Sequence, residues 1–348
     1  MQPKHTLYDM KLLIVRNDKL GDFVLSFPVF SLIKLYCPDS ELHAFVPQYT
    51  SELALNNKSI DHVIIDPGAS AKLIEQYRIL KLIRSEKYDA IITLFSTTRV
   101  GLFSFFSGSK YRLAPATKLA QIFYNHKLTQ RRSKSLKPEY KYNIDLAIKY
   151  LSDIGVSVNE LPPTPFLQFN ENEMDTIHDD LYKNYNIDKN NKLIFIHPGT
   201  GGSATNINLK QYAELAKNLN LNEQHILVIT SGPDELEHAN KLSHLLDAVP
   251  HIVYNSTEGL IKFSKLIQLC DIFISASTGP LHIAGALDRP TAAFYQRRRS
   301  ATPLRWQTLN SENRRLAFTP PETAGESDMS KIDIVEAAKK INKAYLDN

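Results

Sequence analysis

Cysteine is nearly absent: Cys37 and Cys270 are the only two in 348 residues. Far apart and inside predicted helices, they read as buried core thiols, which excludes a disulfide framework. Neither has neighbours at metal-ligand spacing, so no zinc site is expected. Long apolar runs are also missing. None approaches the ~20 residues that cross a bilayer, and the opening MQPKHTLYDMK lacks the apolar core of a secretory signal. Cytoplasmic residence is therefore expected. Low-complexity tracts and short internal repeats are absent. With 43% hydrophobic and 22% charged residues, the composition is that of a soluble globular protein, long enough for two domains of about 150 to 180 residues each.

What is present is an alternation of strands and helices. Apolar runs of strand length fall at 11–16, 41–46, 62–66 and 89–95, then again at 192–197, 225–230, 251–254, 271–276 and 291–295. Helical patterns lie between them: 23–36, which Pro28 should kink or restart, then 69–85, 139–154, 209–220, 233–246, 259–269 and 280–287, with 332–345 closing the chain. Residues 100–130 read as a loosened aromatic and basic region, and 311–327 as loop. Asn159–Pro165, NELPPTP, is the best linker, because its prolines continue neither a helix nor a central strand. The pattern predicts an α/β protein of two Rossmann-like domains, 1–165 and 166–348, facing each other across a cleft.

In open α/β sheets ligands bind beyond the carboxyl ends of strands, and three loops qualify. In the first, Arg16 to Asp22, Gly21 admits a close approach and Asp22 could accept a proton from a hydroxyl; a helix-capping Asp is the plain alternative. The second, His197-Pro-Gly-Thr-Gly-Gly-Ser203, can wrap a phosphate with backbone N–H groups, yet it is neither a Walker A loop nor a dinucleotide fingerprint. The third lies in DIFISASTGPLHIAGALDRPTAAFY, 271–295. This reads strand, turn, helix, strand, with Ser277, Thr278 and Gly279 at a helix mouth suited to an anion and His282 one turn on. An ordinary N-capped turn is the alternative there.

Taken together in this order, RNDKLGDFVLSFP, HPGTGGSATNINLKQYAELAKNL and FISASTGPLHIAGALDRPTAAFY, followed by Arg305-Trp306, resemble glycosyltransferase family 9. These are the bacterial heptosyltransferases of the lipopolysaccharide inner core, and the likeness runs from about Lys11 to Trp306. The resemblance implies a GT-B architecture with an acceptor-binding N-terminal domain and a donor-binding C-terminal domain. It also implies inverting, metal-independent transfer without a cofactor, from a nucleotide sugar such as ADP-heptose. Asp22 matches the family's base. Thr278, Gly279 and His282 match donor-diphosphate positions, Thr200 a further phosphate position, and Glu235, more loosely, an acid on the nucleotide ribose. Gly201 and Ser203 belong to the same loop. Two departures stand out. Thr205 occupies a position where many members have a lysine for the leaving phosphate, which Lys210 or Arg297 to Arg299 could replace. Ser277 stands where an aspartate often meets the sugar.

The net charge is only +4, but residues 109–142 carry nine basic side chains against Glu139 alone. An anionic glycolipid acceptor at the cytoplasmic face of the inner membrane would account for that stretch, with Arg16, Lys19, Arg112, Arg131 and Arg132 as expected acceptor contacts. A solvated basic face is the alternative. Nucleic acid is not expected, since no recognised motif accompanies the charge. Two other readings stay open: a transferase for another surface glycan, and a binding homologue that has lost turnover.

Overall fold

The computed structural model of the chain describes residues 10–116, 119–202, 204–246 and 249–347. The chain divides into two units: Met1–Arg132 with Leu136–Pro163, and Ser133–Ser135 with Thr164–Asn348. Each is built on one six-stranded sheet in which every pairing is parallel.

In the first unit the strands are β1 (Lys11–Val15), β2 (Glu41–Pro47), β3 (His62–Asp66), β4 (Ala90–Thr93), β5 (Tyr111–Pro115) and β6 (His126–Leu128), in the order β3-β2-β1-β4-β5-β6. Leu12, Leu13, Ile14 and Val15 are all buried. Unbroken apolarity is what a central parallel strand needs, because both of its faces are covered. The helix expected at 23–36 is two: Leu20–Val24 and Phe27–Tyr36, with Pro28 in the first turn of the second. A proline costs little there, where its missing N–H would have no partner anyway.

The second unit has β7 (Lys192–His197), β8 (His225–Ser231), β9 (His251–Asn255), β10 (Ile272–Ala276), β11 (Thr291–Phe294) and β12 (Arg315–Phe318), ordered β12-β11-β10-β7-β8-β9. Counted from its own first strand, this is the order of the first unit, so one doubly wound plan occurs twice. In each, the strand order reverses between the first and fourth strands, β1 beside β4 and β7 beside β10. Those switch points open a crevice at the carboxyl ends of the strands.

Three segments differ from the sequence expectation. Residues 100–130 are ordered into the helix Thr98–Phe106 and strands β5 and β6. Their pattern is obscured because Leu102, Phe105 and Phe106 face outward, so apolar residues occur on every side of the helix. Within 311–327, β12 is an edge strand of four residues that begins on Arg315 and runs up to a Pro-Pro pair, too short to show alternation. The helix Glu171–Asn184 has no place in the expected plan; only Met174, Ile177 and Leu181 are buried amid acidic neighbours. Its start is legible in retrospect, since Asn170 and Glu173 close a capping box.

Candidate functional site

In the first unit the loop after β1 delivers Arg16 into a buried charge cluster. Arg16 is 1% exposed. Its Nε donates to Asp18 Oδ1 at 2.8 Å, its Nη2 donates to Asp22, and its Nη1 reaches Asn143 Oδ1 at 3.2 Å and Glu139 Oε1 at 3.5 Å. Burial would lower its pKa, but Asp18, Asp22 and Glu139 together more than offset this and raise it. Asp22 lies in the first turn of the helix Leu20–Val24. Burial pushes its carboxyl up from 3.8 to about 6; Arg16 pulls against that, while Asp18 and Glu139 add to it. A carboxylate with a pKa near neutrality is a better proton acceptor than a solvated one.

Arg16 therefore holds Asp22, with its guanidinium also engaged by Asp18, Asn143 and Glu139. Two other expected contacts are likewise engaged. Arg112 donates from Nε to Phe123 O (3.1 Å) and from Nη1 to Ser109 O (2.6 Å). Arg132 pairs with Glu139 at 2.5 Å and Gln130 at 2.8 Å. Lys19 and Arg131 are exposed. Asp18, Glu139 and Asn143 are the residues sequence reasoning missed. Glu139 was visible as the lone acid of a basic stretch, but a side chain 123 positions from Arg16 gives no local sign of pairing with it.

In the second unit, β7 and β10 bring two expected loops together at the switch point, with Ser275 opposite His197 in register. After β7, Gly201 and Gly202 adopt positive φ values of 52° and 72°, which glycine reaches without strain. Glu235 organises this loop: its Oε1 accepts from Gly201 N at 2.8 Å, and its Oε2 accepts from Gly232 N at 3.3 Å and lies 3.6 Å from His197 Nε2. A Cβ on Gly199 would fall inside that carboxylate. Glu235 is thus a brace for the loop. His197, whose Nδ1 pairs with Thr230 Oγ1 at 3.0 Å, is pushed by burial down to about 4 against the pull of Glu235, so it is neutral at physiological pH. Thr200 is partly exposed, with Oγ1 accepting from Gly202 N at 3.2 Å, and Thr205 is exposed. Ser203 lies outside the described residues.

After β10, Thr278 is the N-cap of the helix Gly279–Ala286. Its hydroxyl sits 3.1 Å from Ser275 Oγ and caps no backbone N–H. The N–H groups of Gly279 and Leu281 (Pro280 has none) thus gain no side-chain cap, and unpaired donors of this kind favour an anion. Ser277 and Gly279 are partly exposed. One turn on, His282 is buried; its Nδ1 has no partner, and burial lowers its pKa to about 4. Trp306 lies edge-on to it at 6.4 Å. Beyond β11, Arg297 is tied to the carbonyls of Glu322 and Ala324. Arg298 and Arg299 instead line an open recess of about 490 Å³ with Ser133, Ser300 and Arg305.

The glycosyltransferase family 9 (heptosyltransferase) model matches residues 76–330, well over half the chain. The chain belongs to glycosyltransferase family 9. It is 41% identical to a Haemophilus influenzae glycosyltransferase, itself only provisionally assigned, over 93% of both chains. It is 26% identical to lipopolysaccharide heptosyltransferase 1 of Campylobacter coli, over 93% of this chain and 94% of that one. Its fold is that of the Escherichia coli ADP-heptose lipopolysaccharide heptosyltransferase II, with a TM-score of 0.76, 18% identity, and coverage of 97% and 99%. This family-9 enzyme is therefore a glycosyltransferase with the GT-B fold, and among its described residues no helix is long and apolar enough to cross a membrane.

Proposed function

We propose that this family-9 enzyme transfers heptose, with inversion, from ADP-heptose to an anionic lipopolysaccharide core acceptor, with Asp22 as the base. The observation that carries the reading is Asp22: a largely buried carboxylate with a pKa near 6, held by Arg16 at the carboxyl end of a parallel strand. The first unit takes the acceptor, whose anionic groups meet Lys19 and Arg131. Asp22 removes the proton of the attacking hydroxyl, which displaces the nucleoside diphosphate from the anomeric carbon. The second unit holds that diphosphate on the N–H groups of the helix Gly279–Ala286, with Thr278 and Thr200 beside it. Neutral His282 offers its unsatisfied Nδ1 side to the same oxygens. Charge developing on the leaving group needs fixed donors and cations. In place of a lysine at Thr205, we assign that charge to Arg298, Arg299 or Lys210; alanine at each in turn, with transfer rates measured, separates them.

Membrane contact is part of the proposal. Leu119 (82% exposed) and Ile122 (69%) stand out from the first unit near the exposed Lys127 in sequence, a composition suited to an anionic lipid surface.

The test is transfer by the wild type and Asp22→Asn, with a panel of ADP- and UDP-sugars and a truncated core acceptor. Transfer from ADP-heptose, lost in the variant, supports the reading whole. Transfer from another donor alone moves the specificity, for which Ser277 is the first suspect. Nucleotide binding without turnover on any donor favours the alternative that Thr205 and Ser277 motivate, a homologue that binds but does not transfer.

A further inference from the structure

At the amino ends of β2 and β3, the opposite end of the sheet from Asp22, three potential ligands meet. Glu41 and His43 are two apart on β2 and share a face. His62 is the register partner of His43 across the β2–β3 pair. Glu41 Oε1 lies 2.7 Å from His43 Nε2 and 3.5 Å from His62 Nε2, the imidazole rings are 4.6 Å apart, and one ligand atom from each residue lies within 4.8 Å of the others. We infer that Glu41, His43 and His62 form a binding site for a divalent zinc-type cation that clamps the edge strand β3 to β2.

Ligand atoms bound tetrahedrally at 2.0–2.1 Å stand about 3.3 Å apart. The 3.5 Å separation is already close to that, and the 2.7 Å contact opens by a few tenths of an ångström once the metal replaces the hydrogen bond. The widest gap closes by rotation of His62, whose side chain is 64% exposed and free to turn. His43 is fixed from behind: its other nitrogen, Nδ1, pairs with Tyr88 OH at 2.7 Å. An outer partner of this kind orients a ligating imidazole. The neighbouring Lys11 Nζ, 3.4 Å from Glu41, is drawn off by Glu86 at 2.5 Å. Two carboxylates against one ammonium leave a net negative charge, which a divalent ion suits. Two imidazoles, one carboxylate and an open position form a ligand set that favours zinc over magnesium or calcium. Sequence spacing hides the site, because strand register supplies its third member.

The test uses the full chain after chelation. Cobalt(II) titration should produce visible ligand-field absorption saturating at one equivalent and displaced by zinc. Saturating zinc should raise the melting midpoint by roughly 2 to 5 °C, as a ligand specific to the folded state does. His62→Ala and Glu41→Gln should each weaken cobalt binding at least tenfold, while His62→Ala melts as the wild type does in EDTA. Absent absorption in the wild type with cobalt in large excess over the chain, or unchanged binding in both variants, overturns the inference. Heptosyl transfer is no part of the readout, so failure of the proposed function would leave this result standing.

Discussion

Arg16 serves Asp18, Asp22 and Glu139 at once, so Asp22 is held in place without being fully neutralised. Its folded pKa, about 6, lies above the ordinary 3.8. Such a group contributes stability that is complete below about pH 4 and lost as pH rises through 6. Ionised Asp22 thus lowers the stability of the enzyme at the pH where it works. Asp22→Asn should abolish transfer, by 10²-fold or more, yet melt at a higher temperature than the wild type at pH 7.5, with the gap narrowing toward pH 4. Scanning calorimetry across that range reads it, and a lower midpoint for the variant at pH 7.5 would count against a pKa raised by burial. In the wild type, kcat/KM should climb with pH through about 6. His282 behaves differently: held near pKa 4 by burial, it stays neutral from pH 5 to 8. Donor binding should therefore show no titration from it, while His282→Ala should weaken ADP binding roughly three- to tenfold, about the worth of one hydrogen bond, by calorimetric titration.

Among elements, the helix Gly279–Ala286 lies close against the segment after Trp306. A Cβ on Gly285 would come 2.7 Å from Thr308 Cβ and 3.0 Å from the backbone nitrogen of Leu309. Backbone cannot step aside as a flexible side chain can, so Gly285→Ala should cost about 1 to 3 kcal/mol, seen as a lowered midpoint in urea or heat. Central strands with unbroken apolar runs were legible in the sequence: β7 and β10 lie at or within the predicted residues. What escaped was short, edge-bound or outward-facing, as with β12 and the helix Thr98–Phe106. The three candidate loops were legible as post-strand turns, because Gly, Ser, Thr and Asp there are local signals, although the first ends at Lys19, where the helix Leu20–Val24 takes over. Their internal braces were not, since Glu139 and Glu235 act across long stretches of chain.

For the whole molecule, the repeated strand order makes each switch point a ligand crevice in its own unit, and the twofold α/β plan was readable from alternation alone. The basic stretch is less free than its charge count suggests: Arg112, Arg132 and Lys137 are all engaged internally, the last with Asp145. Attraction to a surface then rests on fewer cations plus exposed apolar side chains. Binding to anionic vesicles should be detectable by flotation, fall severalfold between 50 and 300 mM salt as the roughly 10 Å screening length shortens, and drop further with Ile122→Glu. Equal binding to zwitterionic vesicles would remove the electrostatic part.

The fit of Gly199 around the Glu235 carboxylate also constrains how relatives can diverge. Gly199→Ala alone must evict the brace, whereas Glu235→Ala first makes room for the methyl group. The two substitutions are epistatic, and the order in which a lineage acquires them decides whether it passes through a damaged intermediate. Libraries that vary position 199 while holding 235 constant should recover glycine almost exclusively, whereas joint libraries should recover alanine at 199 chiefly where 235 has become small.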